Sequence, residues 1–166
     1  SPRLPAAEST AGRQLLMAQD EARLDLSGLH HLIGFLLAMG TVSTRRAFQQ
    51  HIGTPFGLRP VEFTLLMLLQ SNGMLAPKQL ARALSLPPPN VTVLLDRLVG
   101  RGLVERRRSP HDGRAIQVLL TPEGVDLARR VQQISLTMED SLLQPLTPGE
   151  RAMLRELLLK LAGEAS

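Results

Sequence analysis

Proline and glycine cut the middle of this chain into pieces too short for anything but closely spaced small elements. Pro77 opens one apolar-periodic segment that runs through Leu84; after Ser85 and Leu86 a second runs from the prolines at 87–89 to about Arg101, where Gly102 closes it. Proline suits a first helical turn because the N–H it lacks would have had no partner there, so both segments read as short helices joined by a tight turn. A residue before proline avoids helical angles, which puts the second start at Pro88 or Pro89. Leu103 to Arg108 and Arg114 to Leu120 then read as two strands flanking the turn-rich Ser109-Pro110-His111-Asp112-Gly113.

The flanks carry helical periodicity. From Leu26 to Ile52 no proline intervenes; Leu29, Leu32, Ile33, Leu36 and Gly40 form one stripe, and Phe35, Ala38, Met39 and Val42 fill another side. A helix apolar nearly all round needs cover on more than one face, which predicts an interface helix in a helical dimer. Pro60 opens a helix with Val61, Leu65, Leu66, Leu68 and Leu69 inward, stopped by Asn72-Gly73. Thr121-Pro122 and Thr147-Pro148 each pair an N-cap with a first-turn proline, the second completed as a capping box by Glu150. The spacing predicts that the first closing helix buries Val125, Ala128, Val131, Ile134 and Met138, and the second Met153, Leu154, Leu157, Leu158 and Leu161. With aromatics at only 2%, Leu, Ala and Met must build the core, which favours packed helices; the expected fold class is mainly α with a small β-hairpin.

Several chemistries drop out. The absence of cysteine excludes disulfides, thiol nucleophiles and cysteine-rich zinc sites. The histidines at 30, 31, 51 and 111 lack a helical spacing that would place two on one ligand face, so no metal and no cofactor is expected. No Gly-rich phosphate loop, Gly-x-Ser-x-Gly elbow or matched nucleophile and base appears, so the chain is not expected to be an enzyme. The most apolar run, Leu32 to Met39, is far short of the ~20 residues needed to cross a bilayer, and no signal core is present, giving the expectation of a soluble cytoplasmic protein without a membrane partner.

Charge points elsewhere. Between Arg97 and Arg114 six arginines face two acids, so this one stretch carries the whole net charge of +4. A local basic block is what phosphate binding requires, although a solvated basic surface has the same composition. In a helix-turn-helix the second helix enters the major groove, and a basic hairpin directly after it can reach the backbone or the adjacent minor groove. The run Leu80-Ala81-Arg82-Ala83-Leu84, the stretch from Val91-Thr92-Val93-Leu94-Leu95-Asp96-Arg97-Leu98 to Gly102-Leu103-Val104-Glu105-Arg106, then Asp112-Gly113-Arg114 and Leu120-Thr121-Pro122-Glu123-Gly124 together resemble the MarR family of winged helix-turn-helix regulators.

That resemblance implies a homodimer knitted from its first and last helices, two winged heads on double-stranded DNA bearing an inverted repeat, and a small-molecule effector entering between head and dimer region. The boundaries are then an N-terminal arm over 1–25, a dimerisation helix over 26–57, a DNA-binding winged head over 58–121 and closing dimerisation helices over 122–166. Repression relieved by an aromatic or phenolic acid, or its thioester, is the implied behaviour. His31, Phe35, Arg46, Phe63 and Met67 are the pocket candidates, and a core or dimer-contact role is open for each. A winged helix used only as a protein-interaction module is the competing reading.

The DNA-facing candidates are Pro89, Asn90, Thr92, Val93, Arg97, Arg107, Asp112 and Arg114. Asn90 can read base edges and Thr92 can donate to phosphate. Prolines in this first turn depart from the polar start usual in the family and remove backbone N–H groups that could have held a phosphate. Arg97 either approaches the DNA backbone or forms a salt bridge. The resemblance places Arg114 at the wing tip, oriented by Asp112, while Asp112-Gly113 is by itself only a good turn. Arg106, Arg107 and Arg108 alternate faces along a strand, so they cannot all meet DNA.

Overall fold

The computed structural model describes residues 24–109, 113 and 115–163. The arm expected over 1–25 lies almost wholly outside these residues, as do His111, Asp112 and Arg114. The chain forms two compact units, the first ending at Thr41 and the second beginning at Val42. That division falls inside the stretch expected as a single dimerisation helix.

In the first unit, Asp25 Oδ1 accepts the Ser27 N–H at 2.9 Å and starts a 3-10 turn over Ser27–Leu29. This hydrogen bond holds the Asp25 carboxyl below its ordinary range. The regular helix α1 (Ile33–Phe48) therefore starts later than the periodicity predicts, and it passes into a π-helical turn over Gln49–Gly53 instead of running unbroken to Ile52. Leu29, Leu32, Ile33, Leu36, Leu37 and Met39 are all exposed.

The second unit holds the core. A one-turn helix, Thr54–Phe56, leads to Gly57 in the left-handed region (φ +60°), and α2 (Pro60–Asn72) follows. Next come strand β1 (Met74–Leu75), α3 (Pro77–Ala83), α4 (Pro88–Gly100), β2 (Val104–Arg108), β3 (Ile116–Leu120), α5 (Pro122–Ser135) and α6 (Pro148–Leu161). The strands form an antiparallel sheet in the order β1-β3-β2, with Arg106 opposite Val118 and Met74 opposite Leu119. The hairpin thus gains a third strand that sequence reading did not foresee. Ile52, Leu65, Leu66, Leu69, Leu80, Val91, Leu95, Leu98, Val104, Val118, Ala128 and Val131 close into one hydrophobic cluster.

The first closing helix follows its predicted pattern through Ala128 and Val131, with Ile134 and Met138 partly buried and Val125 exposed. Its start is tightly built: Thr121 Oγ1 donates to the Gly102 carbonyl at 2.6 Å and accepts the Gly124 N–H at 3.0 Å. A Cβ on Gly124 would lie 1.9 Å from the Leu103 carbonyl oxygen, so only glycine lets this helix approach the strand. In the last helix Met153, Leu154, Leu157, Leu158 and Leu161, the stripe expected to be buried at a dimer interface, are 40–63% exposed in the single chain.

Candidate nucleic-acid interface

The interface candidate is built around α4, whose two sides are set by its sequence. Val91, Leu94, Leu95 and Leu98 recur at helical spacing and are buried, which turns Pro89, Asn90, Val93 and Arg97 outward. Four predicted contacts, Pro89, Asn90, Thr92 and Val93, are all exposed; Val93, 67% exposed, stands near the middle of the open face beside Pro89. The tight turn before the helix is held by Leu86 N–H donating to the Ala81 carbonyl at 2.9 Å. Ser85 takes φ +51° there, a left-handed position unfavourable to a residue with a Cβ.

Pro87 caps α4, and Pro88 and Pro89 occupy its first two positions. Neither has an N–H, and the Asn90 N–H already donates to the Pro87 carbonyl at 3.0 Å. The first turn therefore presents side chains and no free backbone donor. The Thr92 Oγ1 donates to the Pro88 carbonyl at 3.2 Å within the helix.

Ion pairs flank the open face. On one side Arg106 Nη2 meets Asp96 Oδ1 at 2.7 Å, tying β2 to α4. On the other, Arg97 Nε meets Glu62 Oε1 at 2.7 Å, which realises the interhelical alternative for Arg97. Glu62 is fully buried yet well supplied: its Oε2 accepts the Arg59 backbone N–H at 2.8 Å, and its Oε1 accepts from Arg59 Nη2 at 3.1 Å. As the third residue of α2 it also sits where the helix dipole favours an anion. Sequence reading missed Glu62, although an acid two residues after Pro60 is a recognisable first-turn signal. It also missed Arg101, whose Nη1 and Nη2 donate to the Gly57 and Phe56 carbonyls at 2.8 and 2.9 Å, anchoring the far end of α4.

Along β2 the alternation sorts the arginines as anticipated: Arg106 turns to α4, while Arg107 pairs with Glu105 on the opposite face and keeps its side chain 63% exposed. A cleft of about 320 Å³ opens between α2 and α4, lined by Arg59, Val61, Leu86, Asn90, Val93 and Leu94. The five effector-pocket candidates are divided between the two units. His31 and Phe35 belong to the first unit; in the second, Arg46 is exposed and Phe63 and Met67 pack on the core. Phe63 meets Phe48 edge to face, with centroids 5.6 Å apart. Among the described residues no three histidine or acidic side chains converge as a metal site, and no single helix is long and apolar enough to cross a membrane.

Residues 56–115 match the family model described as the MarR family. The multiple antibiotic resistance protein MarR of Escherichia coli is 30% identical over 129 residues, spanning 77% of this chain and 89% of that protein. The chain belongs to the MarR family. Among solved structures of the same kind, the transcriptional repressor CouR bound to a 23-mer DNA duplex superposes with TM-score 0.77 at 31% identity, covering 85% of this chain and 99% of CouR. Bordetella bronchiseptica BpsR, in a structure titled for the regulation of its DNA binding by 6-hydroxynicotinic acid, gives TM-score 0.72 at 26% identity, with coverage of 85% and 98%. In MarR-family terms α3 and α4 form the helix-turn-helix, and β2 and β3 the wing.

Proposed function

We propose that this chain is a homodimeric transcriptional repressor that binds an inverted repeat in double-stranded DNA and leaves it when a small aromatic acid binds. The observation that carries the reading is the open face of α4: its opposite side is sealed into the core, and charged partners brace both of its edges. Pro89, Asn90 and Val93 face base edges and Thr92 a phosphate, while Arg107 and Arg114 reach the backbone and minor groove, with Asp112 orienting Arg114. Arg97 serves from behind, by holding α4 on Glu62.

Dimerisation follows from what one chain leaves uncovered. Leucines and methionines of α6, and those around the start of α1, form apolar surfaces that a second copy would remove from water. Two heads about 34 Å apart would enter successive major grooves on one side of the duplex. The DNA-bound CouR relative supports the duplex reading, and BpsR supports an aromatic acid as effector. An effector that prefers a different head spacing releases DNA by no more than its difference in affinity for the two states.

The test is fluorescence anisotropy of labelled duplex from upstream of the protein's own gene, at two salt concentrations, against a scrambled duplex. Selective binding that weakens steeply with salt is expected. A folded dimer that ignores both duplexes at low salt would instead support the protein-interaction reading.

A further inference from the structure

The chemistry of the open face of α4 narrows what it can read. Arginine or lysine paired with guanine is the commonest specific contact in the major groove. From Pro88 to Asp96 the helix has neither residue. Its first cation, Arg97, is engaged with Glu62, and the nearest wing cation, Arg106, with Asp96. No backbone N–H of the first turn is free to bind an acceptor on DNA.

What the face does present is mainly apolar, with the Asn90 amide and a Thr92 hydroxyl bonded within the helix. Val93 is 67% exposed near its centre, next to the exposed Pro89. A valine in this setting gains nothing from water and loses rotamer freedom in a helix, so its contribution comes from a partner surface. Asn90 borders the same cleft as Val93, whose other walls are Val61, Leu86, Leu94 and Arg59, the last paired with Glu62. An apolar concavity beside a carboxamide complements one feature of duplex DNA: a thymine methyl next to an adenine, which offers N7 as acceptor and N6 as donor.

We infer that α4 reads an A·T step in each half-site, with Asn90 pairing to adenine and Val93 and Pro89 receiving the thymine methyl. This rests on the DNA-binding reading above and specifies its target. The full chain is used to select duplexes from a random pool, and each thymine of the selected duplex is then replaced in turn by uracil, which removes only the methyl. At one symmetry-related pair of positions the replacement is expected to weaken binding roughly four-fold, the worth of one buried methyl group. In Val93→Ala, whose site is exposed and outside the core, that penalty is expected to shrink, with Pro89 keeping part of the contact. Replacing the neighbouring adenine by 7-deazaadenine is expected to cost roughly five-fold or more in the wild type and little in Asn90→Ala. Selected duplexes with no uracil-sensitive position, or a sensitivity undiminished in Val93→Ala, would overturn the inference while leaving the DNA-binding function intact. Recovery of no selective duplex would overturn both.

Discussion

Arg97 Nε lies 2.7 Å from Oε1 of the fully buried Glu62, and Arg59 Nη2 meets the same oxygen at 3.1 Å. Either arginine alone keeps a cation on the buried charge. Arg59→Ala and Arg97→Ala are therefore each expected to lower unfolding free energy by only about 0.5–1.5 kcal/mol, since both guanidiniums are half exposed. The double variant strands the carboxylate and is expected to cost about 3–5 kcal/mol, more than the two single losses added. Urea denaturation of the three variants measures this; strictly additive losses would show that the pairs act independently.

Gly124 and Gly149 make a matched pair, each in the first turn of a helix. A methyl at Gly124 meets the Leu103 carbonyl at 1.9 Å, whereas at Gly149 nothing lies within 4 Å. Gly124→Ala is expected to destabilise by at least about 1–3 kcal/mol, and Gly149→Ala to stabilise by roughly 0.5 kcal/mol. Thermal unfolding should move in opposite directions for the two.

Leu157 is 52% exposed in the single chain, so an aspartate there would remain hydrated until a second copy approaches. Leu157→Asp is expected to keep its helical circular dichroism, sediment as a monomer and lose operator affinity by roughly ten-fold or more through lost bivalency. A stable dimer of this variant would refute the placement of α6 at the interface.

The wing arginines are expected to separate by salt. Arg107→Ala should weaken operator and scrambled duplex alike and reduce the slope of log affinity against log salt by about 0.9. Arg114→Ala should lower DNA affinity at matched salt and leave the dimer intact; preserved affinity would remove its minor-groove role.

Legibility in the sequence followed the range of the forces involved. Helix starts at Pro60, Pro77, Pro88, Pro122 and Pro148 were readable because proline acts on its own φ and N–H, and Gly102 marked a real left-handed stop at φ +68°. Strand β1 was not readable, because two residues become a strand only through pairing with β3. The role of Arg97 is not legible locally, since it depends on Glu62, a partner on another helix. For Leu157 periodicity identifies an apolar stripe but not which molecule covers it; only the family resemblance points to a second copy.

The prolines at the head of α4 bear on how such a protein finds its site. Phosphates are the same everywhere along a chromosome, and a helix tip without free amide donors has less hold on them. Shorter dwell on unrelated sequence is the expected consequence, with discrimination resting more heavily on the bases themselves.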